Sequence, residues 1–450
     1  MVEVPETRFA QVGEDRVAYQ VFGEGPPDLV YVSGTTETID LRWEWPPYAH
    51  FLRRLASFSR VVTFDQRGQG GSDRVTQSGV SVWEDWAQDV RAVLDAIGSE
   101  RSALFATVET TPIALLLAAT APERIQALIL FEGTARLAAS DDYPGLSLEA
   151  LLEAGRVTAE VWGTDASASL FTPALASDPA FRRWFAKAQR AALSPRDAAA
   201  VLSVITAMDV RQVLSSVRTP ALVIHRKGNQ LVQIEQARYL AEHLPNARLL
   251  VIDGDDLYPW CEPMEEILDE IEGFLTGPRD RGTSSNRVLA TVLFTDIVGS
   301  TERAATEGDR RWRTLVESHD TISRGVIEQH GGRVIRTTGD GALATFDGPG
   351  RAVQCALSLR DALRTLAIDI RAGIHTGEIE VGGDDISGIG VHVAARVVSH
   401  AENGQIWVSS VVPLLMTGSN VEFEPCGEWV LKGVPGEWSL FAVRSSTKAT

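Results

Sequence analysis

Short apolar, β-branched runs alternate with helical stretches along the first 275 residues, and this alternation limits the possible folds more than any other feature. Asp28 to Val32, Val61 to Phe64, Ser102 to Ala106, Ala127 to Phe131, Ala221 to His225 and Arg248 to Ile252 read as strands. Trp83 to Ile97, Pro112 to Ala121, Ile234 to His243 and Glu262 to Leu275 read as helices. A strand followed by a helix, repeated, predicts a mostly parallel sheet with helices on its faces.

The pattern stops at Gly277-Pro278-Arg279-Asp280-Arg281-Gly282-Thr283-Ser284-Ser285-Asn286, a polar stretch rich in Gly and Ser. This divides the chain into residues 1–276, a linker at 277–286, and a second domain at 287–445. A length of 450 residues suits two or three domains, each with its own core. A net charge of −18 argues against a nucleic-acid polymer or an anionic membrane as partner. Cys261, Cys355 and Cys426 have no metal or redox spacing and fit a reducing compartment. The longest apolar run, around Ile113 to Ala121, is far too short to span a bilayer. The acidic N-terminus lacks a signal peptide's apolar core. The expected location is the cytoplasm.

In the second domain, the apolar run Val288 to Phe294 reads as a buried strand ending in Thr295-Asp296. Gly299 follows, and Ser300-Thr301-Glu302 can open a helix. A strand end, a Gly turn and a helix N-terminus suit a phosphate group. Val334 to Phe346 reads as a hairpin around Gly339-Asp340-Gly341. Two carboxylates on adjacent strand ends can share two hard cations such as Mg²⁺.

The order Leu293-Phe294-Thr295-Asp296-Ile297-Val298-Gly299-Ser300-Thr301, Arg336-Thr337-Thr338-Gly339-Asp340-Gly341 and Asp385 to Arg396 resembles the class III nucleotide cyclases, over about residues 287 to 445. That resemblance implies an α+β domain of ferredoxin-like or palm type, and an active site shared between two subunits. It implies that Asp296, the Ile297 carbonyl and Asp340 hold two divalent metal ions, Mg²⁺ or Mn²⁺. Arg336 stands where adenylate cyclases usually carry a base-reading Lys, and Asp385 matches the Asp that accepts from the adenine amino group. His392 occupies the position of an Asn that orients the ribose. Arg396 matches the Arg that stabilises charge on the α-phosphate, and Lys432 matches a triphosphate-binding Lys. The chain carries Lys only at 187, 227, 432 and 448. Arg336 and His392 depart from the usual adenylate pattern and bear on rate and purine selectivity. Gly382-Gly383-Asp384-Asp385 shares four residues with the diguanylate cyclase signature, but lacks the Glu-Phe that follows there.

The first 276 residues resemble the α/β-hydrolase fold. Phe64-Asp65-Gln66-Arg67-Gly68-Gln69-Gly70-Gly71-Ser72-Asp73 looks like its Asp-x-Arg-Gly-x-Gly-x-Ser loop, and Ile113 to Ile125 looks like the helix after the nucleophile. Residues 137 to 215 would form a helical cap. The hydrolase chemistry is missing. Val108, in Ala106-Thr107-Val108-Glu109-Thr110, stands where a nucleophile elbow needs Ser between two glycines. Asn229 and Leu257 stand at the positions of the acid and the base. Thr107 and Thr110 read as turn residues, and His225 as the end of a strand. Trp43, Trp45, Trp83, Trp86, Trp162, Trp184 and Trp260 read chiefly as core and cap packing, around a space that could take a small-molecule ligand.

The resemblances together imply a mycobacterial-type soluble adenylate cyclase. It would convert ATP to 3′,5′-cyclic AMP and pyrophosphate at a homodimer interface, beside a non-hydrolytic regulatory domain. The alternatives are a cyclase with relaxed or guanine selectivity, or a ligand-sensing protein whose cyclase domain is weakly active.

Overall fold

The computed structural model describes residues 4–32, 34–74, 82–277, 287–300, 303, 308–337, 341–382 and 385–444. The chain forms two compact units, the first of residues 1–76 and 85–283 and the second of residues 77–84 and 284–450.

The first unit is built on an 8-stranded sheet in the order β1-β2-β4-β3-β5-β6-β7-β8. Its strands are β1 (Arg8–Val12), β2 (Asp15–Phe22), β3 (Asp28–Val32), β4 (Arg60–Phe64), β5 (Ser102–Thr107), β6 (Ile125–Phe131), β7 (Ala221–Arg226) and β8 (Ala247–Ile252). From β4 to β8 all neighbours are parallel; β1 and β2 add an antiparallel edge. Every residue of β5 is buried, because helices cover both faces of a parallel sheet. β1 and β2 escape the sequence reading: three of the five β1 residues are exposed, and Gln11 and Gln20 interrupt the apolar runs.

The loop from Phe64 to Asp73 is a structural staple. Asp65 accepts N–H bonds from Ile39 at 2.9 Å and Gly71 at 3.0 Å. Burial pushes its carboxyl up to about 6, against the pull of Arg42 and these N–H donors. A side chain at Gly70, which has φ +49°, would overlap the Asp65 carboxylate. Arg67 pairs with buried Asp89, Nε to Oδ1 at 2.5 Å, and reaches Asp15 at 3.3 Å.

Between β6 and β7 the chain forms the helices Leu148–Val161, Pro179–Ala192 and Pro195–Ala207. Ser147, Asp178 and Ser194 cap their N-termini, each accepting from a backbone N–H in the first turn. Trp184 donates to the Leu41 carbonyl at 2.9 Å. Trp45 and Trp184 stack at 5.6 Å, Tyr48 and Trp260 at 5.1 Å, and Tyr258 and Trp260 at 5.0 Å. These rings belong to the main apolar core, so the tryptophans described there act as packing.

The second unit holds another 8-stranded sheet, ordered β10-β11-β9-β12-β14-β16-β15, with β13 paired to β12. Its strands are β9 (Arg287–Ile297), β10 (Arg333–Thr337), β11 (Ala342–Phe346), β12 (Ile370–Gly382), β13 (Asp385–Ser387), β14 (Ile406–Ser409), β15 (Glu422–Val430) and β16 (Glu437–Arg444). The helix Asp309–Gln329 follows β9 and the helix Pro349–Arg364 follows β11. This strand–helix–strand–strand–helix–strand run, with β9 central between β11 and β12, is the ferredoxin-like topology. The helix Ile389–His400 lies against β12 and β9, and only glycine permits that approach. A Cβ at Gly373 would stand 2.7 Å from the Val398 Cα, and one at Gly390 would stand 2.9 Å from the Glu378 carbonyl oxygen. No helix among the described residues is long and apolar enough to cross a membrane.

Candidate functional site

Asp296 is the penultimate residue of β9, directly across from Arg371 of β12. The Arg371 guanidinium donates to Asp296 Oδ2 twice, from Nε at 2.8 Å and Nη2 at 2.5 Å. Ile297 is buried with Leu359, Leu363, Ile368 and Ile370, so its side chain packs and any polar role falls to its backbone.

The hairpin from β10 to β11 closes onto the same strand end. Ala342 N–H donates to Thr295 Oγ1 at 2.9 Å. A Cβ at Gly341 would overlap the Thr295 carbonyl and stand 3.3 Å from the Asp296 Cα. Glycine is required there because the chain enters β11 pressed against the backbone of Thr295 and Asp296. Asp340, the residue before it, lies outside the described residues. Among the described residues no group of three or more His, Cys, Asp or Glu side chains is placed to hold a metal ion.

Arg336 is exposed on β10. The ladder register shifts between Val334 and Arg336, which sit opposite Ala344 and Leu343. Such an irregularity turns the side chain that follows it, and is common beside active sites.

The other expected residues gather on a different element. The helix Ile389–His400 buries Gly390, Val391, Val393, Ala394, Val397 and Val398 against the sheet. That stripe leaves His392 and Arg396, one turn apart, exposed on the opposite face. Arg396 Nε donates to the Lys432 carbonyl at 3.0 Å. Lys432 is itself exposed, between buried Leu431 and a turn in which Gly433 has φ +80°. Asp385 begins β13, where it pairs with Gly382; its side chain is outside the described set. The structure thus joins Arg396 to Lys432 and Asp296 to Arg371. Among the described residues no hydrogen bond or ion pair links these two groups.

Arg371 and Thr295 escaped the sequence reading. Their roles depend on which residue of β12 faces Asp296 and which face of β11 meets Thr295. Strand register sets both, and neither local sequence displays it.

In the first unit, Val108 lies in the turn between β5 and the helix Thr111–Thr120 with φ +36°. A β-branched residue in that region is a true outlier, and it marks the sharp strand-to-helix turn of a nucleophile elbow. Asn229 Oδ1 accepts from the N–H groups of Leu231 at 2.9 Å and Val232 at 3.2 Å, so it shapes a turn. Leu257 is buried in the main core, and its N–H donates to the Phe171 carbonyl. Thr110 Oγ1 donates to the Val32 carbonyl at 2.6 Å and accepts from Thr107 N–H. His225 Nδ1 lies 2.8 Å from Glu132 Oε2 with both side chains buried, but off the direction of a hydrogen bond.

Comparison with known proteins agrees with both halves. The family described as "alpha/beta hydrolase fold" matches residues 29–256, and that described as "Adenylate and Guanylate cyclase catalytic domain" matches residues 284–445. The enol-lactonase from Burkholderia xenovorans LB400 shares the fold of the first unit. Its TM-score is 0.50 at 21% identity, over 60% of this chain and 100% of that one. Among curated relatives, a serine/threonine-protein kinase, pkn2, of Myxococcus xanthus is 28% identical over 159 residues, which is 34% of this chain and 19% of the relative. A putative adenylate cyclase 3 of Rhizobium meliloti (strain 1021) is 29% identical over 160 residues, 34% of this chain and 27% of the relative. The matches therefore span well under half the length of these relatives. With sheet order, elbow turn and family match in agreement, the chain belongs to the α/β-hydrolase fold family, and it carries a class III nucleotide cyclase domain at its C-terminal end.

Proposed function

We propose that this protein is an adenylate cyclase whose active sites form between two copies of the chain. The observation that carries the reading is that the expected residues fall on different elements of one chain. Asp296 lies at the end of β9 beside Gly341, His392 and Arg396 lie on the helix Ile389–His400 with Arg396 bonded to the Lys432 carbonyl, and among the described residues no hydrogen bond joins the two sets. A second copy related by a two-fold axis would bring one cluster of each chain to the other, twice per dimer.

The donor set fits hard cations. The Asp296 carboxylate is part-exposed at a strand end and already attracts a cationic group, the Arg371 guanidinium. Asp296, the Ile297 carbonyl and Asp340 would hold two divalent ions, which when bound supply charge neutralisation for the triphosphate and a more acidic ribose 3′-hydroxyl. From the other subunit, Arg396 donates to the α-phosphate as its negative charge grows, and Lys432 binds the triphosphate. Asp385 accepts from the adenine amino group, Arg336 donates to the ring nitrogen beside it, and His392 orients the ribose. Guanine carries an oxygen where adenine carries that amino group, so Asp385 favours ATP. The first 276 residues act as a non-hydrolytic regulatory domain, supported by Val108, Asn229 and Leu257 at the triad positions.

The test is product formation from ATP and from GTP by the purified chain, with Mg²⁺ and with Mn²⁺. Cyclic AMP from ATP at the higher kcat/KM is expected. A higher kcat/KM for GTP overturns the adenylate reading, and no cyclic product with either metal overturns the enzyme reading.

A further inference from the structure

The turn at Val108 holds an arrangement that neither the lost triad nor the cyclase chemistry explains. In an α/β-hydrolase the oxyanion is bound by the backbone N–H of the residue after the nucleophile and by an N–H from the loop after β3. In this chain those positions are Glu109 and the Gly34-Thr35 segment. The Glu109 side chain folds back into that place. Its Oε1 accepts the Thr35 N–H at 3.0 Å and is 3.4 Å from Thr35 Oγ1. The backbone N–H of Glu109 itself also favours the charged form of the carboxylate. Gly34 is flush against it: a Cβ at Gly34 would stand 3.0 Å from the Glu109 Cδ and overlap Oε1. The Thr35 N–H, the Thr35 hydroxyl and a glycine floor thus surround one carboxylate.

We propose that the oxyanion site of the first unit survives as a carboxylate-binding site, and that the Glu109 side chain fills it as a tethered ligand. The chemical class that fits is a small monocarboxylate, since a carboxylate of this chain already satisfies the donors. The inference rests on reading residues 107–111 as a disused nucleophile elbow. It adds a reason, independent of the triad, for the domain to be non-hydrolytic: the place where charge would develop on a carbonyl oxygen is taken. Glu109 is held there although its surroundings oppose ionisation. Desolvation raises its carboxyl above the usual range and the nearby Glu37 adds to this, while the Thr35 and Glu109 N–H groups pull it back. Removing the side chain takes the acceptor from the Thr35 N–H, which is unfavourable unless another acceptor enters.

The test uses the full chain with Glu109→Ala and Glu109→Gln. Thermal unfolding is followed by tryptophan fluorescence across acetate and, at matched ionic strength, chloride. The acetate range is about 1 to 100 mM, because a short tether gives an effective concentration in the millimolar range or above. Glu109→Ala should melt several degrees below the wild type and recover part of that loss, saturably, with acetate but not with chloride. Glu109→Gln keeps an acceptor oxygen on the same tether, so it should melt closer to the wild type and ignore acetate. If Glu109→Ala is insoluble without acetate, acetate in the refolding buffer should recover it where chloride does not. Equal responses to acetate and chloride, or an acetate response as large in Glu109→Gln or the wild type, overturns the proposal. Ester hydrolysis by the wild type, measured separately, decides the elbow reading. The melting comparison involves neither hydrolysis nor cyclase turnover.

Discussion

Arg371 faces Asp296 across the β9–β12 ladder and places two N–H groups on a single carboxylate oxygen. The carboxylate expected to hold a metal ion is therefore already paired with a cation. Both side chains are about one third exposed, at 35% and 29%, so solvent screens the pair and its worth is at most about 1 kcal/mol. Arg371→Ala should thus tighten Mn²⁺ binding up to about fivefold, whereas Asp296→Ala should abolish it together with cyclic nucleotide formation. Mn²⁺ binding to the chain without nucleotide is measurable by its paramagnetic signal. Weaker binding in Arg371→Ala would show that the guanidinium positions the carboxylate and does not compete for it.

A site shared between two chains predicts complementation. Asp296→Ala and Arg396→Ala should each be inactive alone. Mixed dimers of the two variants should regain activity, because one of their two sites then contains both wild-type residues. Differently tagged chains, purified through both tags, give dimers of known composition. Inactivity of such dimers would place the complete site within one chain.

Gly373 sets how closely the helix bearing His392 and Arg396 approaches the sheet. Gly373→Ala would drive a methyl group into the Val398 backbone. Overpacking of that kind costs about 1–3 kcal/mol, and the helix must shift to relieve it. The expected outcome is a lower Tm, together with a loss of kcat larger than the change in KM. An unchanged melting curve would mean that the helix moves freely on β12.

Much of this was legible in the sequence. Strands β3 to β7, buried but for one residue in each of β3, β4 and β6, announce themselves as apolar runs, and the elbow position can be counted from β5. His392 and Arg396 sit four residues apart, so any helix puts them on one face. Arg371 could not be found that way: its partner lies 75 residues earlier and is fixed only by the register of two strands. Glu109 was hidden for a related reason. A charged residue at an elbow reads as solvent-facing, and only the return of the β3 loop to within 3.0 Å of its carboxylate shows otherwise.

His375, four residues beyond Arg371 on β12, supplies a pH dependence. It is buried, its Nδ1 is 2.7 Å from Ser409 Oγ, and desolvation pulls its pKa down from 6.5 to about 4. A group depressed in the folded state stabilises the fold above its unfolded pKa and loses that contribution as pH falls through the folded value. The second unit should therefore lose on the order of 3 kcal/mol between pH 6.5 and 4 from this residue. Urea unfolding at several pH values measures it, and His375→Gln should flatten the dependence in that window. An equally steep dependence in the variant would assign it to other groups.

Val108→Ser returns a hydroxyl to the elbow at a backbone conformation, φ +36°, already bent as a nucleophile turn requires. It should nevertheless give no esterase. Asn229 has its oxygen engaged by two backbone N–H groups, Leu257 offers no base, and Glu109 already holds the Thr35 donor. Removing triad members from working hydrolases leaves only residual catalysis, and most of that comes from the oxyanion site. Here that site is filled as well, so hydrolysis of p-nitrophenyl acetate by Val108→Ser should not exceed that by the wild-type chain. Turnover above that level, absent from Val108→Ala, would mean that a base is already in place. His225, beside Glu132 at the end of β7, would then be the side chain to replace next.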